Sequence, residues 1–119
     1  MRRVLVVDDT EANIHLMRFI LKENGFEVIE ARSGTEGVKL AVQEKPDLVL
    51  MDIQLPDIDG LEVTKRIRAS EADGNIPIIA LTSYAMPGDR ERIMAAGCTG
   101  YISKPIDVKT FIKEIEKCL

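Results

Sequence analysis

Short apolar runs alternate with longer amphipathic stretches along this chain, and the alternation repeats five times. The runs are RVLVV at 3–7, FEVIEA at 26–31, LVLM at 48–51, PIIAL at 77–81 and GYIS at 100–103. They are too short for stable helices, and near-continuous apolar runs suit strands covered on both faces. Between them, apolar residues return at helical spacing. Ile14, Met17, Ile20 and Leu21 mark the inner face of a helix over 11–24, capped by Thr10 and stopped by Gly25. Ser33-Gly34-Thr35-Glu36 is a capping-box pattern for a second helix ending near Lys45. Asp59 reads as the cap of a third, with Leu61, Val63, Ile67 and the stem of Lys65 or Arg66 turned inward. Its end is polar, from Ser70 to Asn75, with Gly74 as the turn. Pro87 suits the first turn of a fourth helix reaching about Ala96, with Gly97 beyond it. Asp107 caps the last, which buries Phe111, Ile112 and Ile115.

Strand and helix in strict alternation with short connections call for a parallel sheet with helices on both faces. Right-handed crossovers make the strand order 2-1-3-4-5, the flavodoxin-like (βα)5 arrangement, the economical solution. Residues 1–119 contain no repeat, linker or low-complexity tract, and the expectation is one α/β domain.

Composition narrows the function classes. Sixteen basic against twenty acidic residues give a net charge of −4, and no basic block appears, so nucleic acid is a poor candidate for direct contact. Cys98 and Cys118 are too few for a disulfide framework or zinc site, which points to reduced thiols. No apolar stretch approaches the roughly 20 residues of a bilayer span. The start lacks a signal-peptide pattern, so no membrane role and a cytoplasmic location are expected.

The chemistry gathers where the strands end. In the order 2-1-3-4-5, strands one and three are neighbours at the topological switch point. Their tips deliver Asp8 and Asp9 beside Asp52, while strands four and five deliver Thr82 and Lys104. Three crowded carboxylates repel one another, and at least one pKa should rise. A hard cation such as Mg²⁺ resolves the conflict, because it takes oxygen ligands and often bridges carboxylates to phosphate. With a hydroxyl at Thr82 and an ammonium at Lys104, these are the parts for moving a phosphoryl group onto Asp52.

Together, VLVVDD at 4–9, MDIQLPDIDG at 51–60, LTS at 81–83 and AGCTGYISKPI at 96–106 resemble the receiver domains of two-component response regulators. The third- and fifth-strand motifs are closer to hybrid-kinase and single-domain cell-division receivers than to the chemotaxis regulator. The resemblance implies a signalling module that catalyses its own phosphorylation and dephosphorylation, not an enzyme acting on a separate substrate. It makes Asp52 the phosphoacceptor, Asp9 the direct Mg²⁺ ligand with Asp8 acting through water, and the Gln54 carbonyl the third protein ligand. Thr82 becomes the switch hydroxyl, Lys104 the phosphoryl-binding lysine before a cis proline, and Tyr101 the rotating aromatic. Gln54 and Tyr84 flank the approach of water to the phosphorylated aspartate and would tune its hydrolysis. Ser83 stands where an alanine is more usual. Implied partners are a sensor histidine kinase or histidine phosphotransfer protein, and a downstream protein on the face of the fourth helix, fifth strand and fifth helix. No output domain is visible, whether the chain is a whole protein or a receiver cut from a longer regulator or hybrid kinase.

Other residues have plainer readings. His15 is a solvated helix position, Asp57 and Asp59 are loop and cap residues, and Met86 and Met94 are packing residues. The rival enzyme class, aspartate-nucleophile phosphatases of the haloacid-dehalogenase type, needs a second aspartate as proton donor where Gln54 stands. A flavin-binding relative of the same architecture would need a phosphate-cradling loop where Asp8 and Asp9 stand.

Overall fold

In a computed structural model of the protein, residues 2–70, 76–83 and 88–119 are described. The elements alternate as β1 (Arg3–Val7), α1 (Glu11–Glu23), β2 (Glu27–Ala31), α2 (Gly34–Glu44), β3 (Leu48–Asp52), α3 (Gly60–Ser70), β4 (Ile78–Thr82), α4 (Asp89–Ala95), β5 (Gly100–Ser103) and α5 (Val108–Cys118). All pairings are parallel, in the order β2-β1-β3-β4-β5, as the sequence pattern predicts.

Side chains alternate across the pleat and divide the core in two. Val4, Val6, Leu48, Leu50, Ile79 and Leu81 pack with Ile14, Met17 and Leu21 of α1 and Phe111 and Ile115 of α5. On the opposite face, Leu5, Val7, Val49, Met51 and Ala80 meet Ala41 of α2, Leu61, Val63 and Ile67 of α3, and Ile93 of α4. The inner strands β3 and β4 are buried at every position, whereas β5 alternates half-buried with exposed.

Register places the strand tips together. Val7 pairs with Met51, Asp52 with Leu81, and Thr82 with Ser103. Asp8, one residue past Val7, therefore arrives level with Asp52, and Lys104 arrives one residue past the Thr82–Ser103 row.

Several local expectations change. Thr10 occupies the N-cap of α1 but makes no side-chain cap; its own N–H donates to Asp8 Oδ1 at 2.9 Å. The capping box of α2 is half formed: Ser33 Oγ accepts from Glu36 N–H at 3.2 Å, while Glu36 returns its carboxylate to Arg32 N–H. On α3, Lys65 and Arg66 are exposed, and Thr64 is buried beside Leu61, Val63 and Ile67, its hydroxyl donating to the Gly60 carbonyl at 3.0 Å. Met94 is 42% exposed on α4 and does not pack into the core. His15 is exposed, Asp59 caps α3 through Leu61 N–H, and Asp107 caps α5 through Lys109 N–H. Gly74, Tyr84, Met86 and Pro87 lie outside the described residues.

Candidate functional site

Asp8 and Asp52 stand at the ends of neighbouring buried strands, and both are themselves buried, at 0% and 3% exposure. Asp9 is exposed. The three offer carboxylate oxygens that lie within 4.8 Å of one another. Lys104 reaches in from the end of β5, with Nζ 3.1 Å from Asp52 Oδ1 and 3.8 Å from Asp8 Oδ2. Its backbone continues through a cis peptide to Pro105, and its N–H donates to the Thr82 carbonyl at 2.7 Å. Thr82 is buried at the tip of β4.

Electrostatics at Asp52 follow from this geometry. Burial, and then the adjacent Asp8 charge, push the Asp52 carboxyl above its ordinary value. Gln54 N–H, donating to Asp52 Oδ1 at 3.1 Å, and the Lys104 ammonium pull the other way without prevailing. A cation among these carboxylate oxygens would offset both the burial and the repulsion. The donor set fits Mg²⁺: hard oxygen ligands from three acids, one of them open to water, in keeping with a cation that retains part of its hydration shell.

Of the residues expected from sequence, Asp8, Asp9, Asp52 and Lys104 converge directly, and Thr82 borders them through its bond to Lys104. Gln54 contributes its backbone and leaves its side chain exposed. Tyr101 lies on β5 in register with Ala80, set back from the tips, and is 39% exposed. Tyr84 is outside the described residues.

Two further contacts near these residues carry no local sequence signal. Asn13 Nδ2, in the first turn of α1, donates to Asp8 Oδ2 at 3.4 Å. Asp57, at the tip of the β3–α3 loop, accepts from the N–H groups of Gly34 and Thr35 and from the Thr35 hydroxyl. These bonds hold its carboxyl well below the usual carboxylate range.

Known proteins with this sequence pattern are numerous. The family model of the response regulator receiver domain matches residues 4–116. The polar-differentiation response regulator DivK of Brucella ovis is 49% identical over 118 residues, covering 99% of this chain and 96% of the relative. Among solved structures, the chemotaxis protein CheY4 of Vibrio cholerae superposes with a TM-score of 0.95 at 29% identity, covering 100% of this chain and 99% of that one. The receiver domain of a Pseudomonas aeruginosa sensor histidine kinase, with magnesium coordinated in its active-site cleft, gives 0.89 at 34% identity, covering 98% and 95%. With a family model matched over almost its whole length and a near-full-length relative at half identity, this chain belongs to the response regulator receiver domains, the signalling modules of two-component systems.

Proposed function

We propose that the chain accepts a phosphoryl group on Asp52 and uses it to change a protein-binding surface. The observation that carries this reading is the buried Asp52 carboxylate, ringed by Asp8, Asp9 and the Lys104 ammonium at 3.1 Å. In the transfer, an Asp52 oxygen forms a bond to phosphorus as the bond from phosphorus to the donor breaks. A phosphohistidine on a sensor kinase or phosphotransfer protein is the donor class, and its imidazole is the leaving group. Lys104 neutralises charge on the transferring oxygens, and Thr82 offers them a hydroxyl once the group has arrived. Asp8, Asp9, Asp52 and the Gln54 carbonyl would hold Mg²⁺. When bound, the cation supplies positive charge that offsets carboxylate repulsion and stabilises phosphoryl oxygens.

Output then follows from Thr82 moving toward the phosphoryl group and Tyr101 turning inward behind it. The exposed Tyr101, Met94 and Val108, on β5, α4 and α5, supply apolar contact area for a downstream protein. Hydrolysis of the aspartyl phosphate is tuned by Gln54 and Tyr84. Glutamine can orient a water, whereas a tyrosine lacks a carboxylate to hold one, and a ring lying across the approach would exclude it.

With Mg²⁺ and acetyl phosphate, one phosphoryl group should attach to the protein, and hydroxylamine should release it. Asp52→Asn should abolish labelling while keeping the fold, as read by circular dichroism. Equal labelling of that variant, or labelling indifferent to chelator, overturns the reading.

A further inference from the structure

The loop joining β3 to α3 is fastened at its base and at its tip. At the base, Gly60 N–H donates to the Ile53 carbonyl at 2.8 Å. The two ends lie so close that a Cβ on Gly60 would fall 2.2 Å from the Asp52 carbonyl oxygen. At the tip, Asp57 reaches across to another helix. Its Oδ1 accepts from Gly34 N–H at 2.8 Å, and its Oδ2 accepts from Thr35 N–H at 3.0 Å and the Thr35 hydroxyl at 2.7 Å. Beside this contact, a Cβ on Gly34 would meet Ile58 at 2.7 Å and Val63 at 2.8 Å, so loop and helix are pressed together. The N–H groups of a helix's first turn lack partners within the helix, and an anion placed there is favoured by charge as well as by hydrogen bonding. Between the two fastenings lies Gln54, whose N–H holds Asp52 Oδ1.

We propose that Asp57 is a positioning residue for the acceptor site: by clamping the 53–60 loop to the start of α2, it fixes the Gln54 backbone and through it the Asp52 carboxylate. The proposal rests on the reading that Asp52, with Asp8, Asp9 and the Gln54 carbonyl, holds a divalent cation. Asp57 acts through the loop, and α2 thereby becomes part of the support of the site. Groups standing behind metal ligands typically carry ~10-fold or more in metal affinity.

Three variants separate positioning from helix stability. Asp57→Ala removes the clamp, and Thr35→Val removes one of its three bonds. Ser33→Ala removes the cap in which Ser33 Oγ accepts from Glu36 N–H, without touching the loop. Mg²⁺ affinity is read by titration calorimetry well below melting, and opening of the loop by hydrogen exchange at the Gln54 amide. Asp57→Ala should weaken Mg²⁺ binding ~10-fold and speed exchange at Gln54. Thr35→Val should do less of both, and Ser33→Ala neither. Equal weakening in Ser33→Ala, or unchanged affinity and exchange in Asp57→Ala, overturns the clamp. A parent protein that binds no Mg²⁺ refutes the cation reading instead, and the exchange measurement then decides the clamp alone.

Discussion

Replacing Asp52 by Asn should make the metal-free protein more stable while removing much of its response to Mg²⁺. At an effective dielectric near 20, the 3.1 Å contact with Lys104 attracts by roughly 5 kcal/mol. Asp8, with an oxygen within 4.8 Å, repels by roughly 3.5 kcal/mol. These largely offset, and Gln54 N–H adds about 1.5–3 kcal/mol in favour of the charge. Burying a carboxylate to 3% exposure costs several kcal/mol, and Asp9 adds further repulsion, so burial decides the sign. The raised pKa of Asp52 reports the same balance. A net gain of about 1 kcal/mol for Asp52→Asn corresponds to about 4 °C, given roughly 2.1 cal/mol/K of unfolding entropy per residue over 119 residues. In the parent, Mg²⁺ at ~100 times its Kd should add about 2.7 kcal/mol, or about 11 °C.

The same shift sets how the effect depends on pH. The folded carboxyl titrates above its unfolded counterpart, so its penalty is absent in acid, grows as pH rises from the ordinary carboxylate range, and is full above Asp52's own titration. The advantage of Asp52→Asn should therefore disappear below about pH 4. Thermal melts in EDTA and in Mg²⁺ at matched ionic strength, repeated across pH, give every quantity. A parent whose Tm ignores Mg²⁺, or an Asn variant that melts lower than the parent in EDTA at neutral pH, refutes the reasoning.

Thr82→Ala should still take phosphoryl label from acetyl phosphate but lose at least ~10-fold of the phosphorylation-dependent gain in partner affinity, about 1.4 kcal/mol of coupling, measured by binding with and without a phosphoryl mimic. Undiminished coupling would exclude the hydroxyl as the switch. Tyr84→Glu should shorten the lifetime of the aspartyl phosphate at unchanged Mg²⁺ affinity, followed by loss of label after donor removal. An unchanged lifetime removes the ring as a shield. Gly60→Ala should cost more than about 3 kcal/mol, because the new Cβ meets rigid backbone at Asp52 and Ile53. A denaturation midpoint near the parent's would show that the loop base yields.

The strands are legible because each rests on short-range pattern, and crossover handedness then supplies their order and with it the meeting of Asp8, Asp9, Asp52, Thr82 and Lys104 at one edge. A strand buried on both faces reads as an apolar run, and register then brings the residue after each run to one edge. What escaped depends on contacts between distant segments. Asp57 meets Gly34 and Thr35 more than 20 positions away, and nothing in its spacing distinguishes it from an ordinary loop acid. Thr64 was invisible for another reason: its hydroxyl is satisfied within its own helix, so a polar residue fills an apolar position. Met94 failed in the opposite direction, since hydrophobic character alone does not assign a residue to the core. Thr10 has the chemistry of a cap but is used from its backbone, as the donor that orients Asp8.

Lys104 follows the least buried strand of the sheet, while Asp8 follows, and Asp52 ends, strands sealed from solvent along their cores. Amide exchange and local opening track such differences, since strands at a sheet's edge yield at lower free energy than those at its centre. Asp8 and Asp52 are thus mounted on the covered centre of the sheet, and Lys104 beyond its least buried strand. Strain introduced at Asp52 should on that account relax outward along β5 before it disturbs β1 or β3. A sheet built this way would let its outer edge shift while the acids at its centre keep their places.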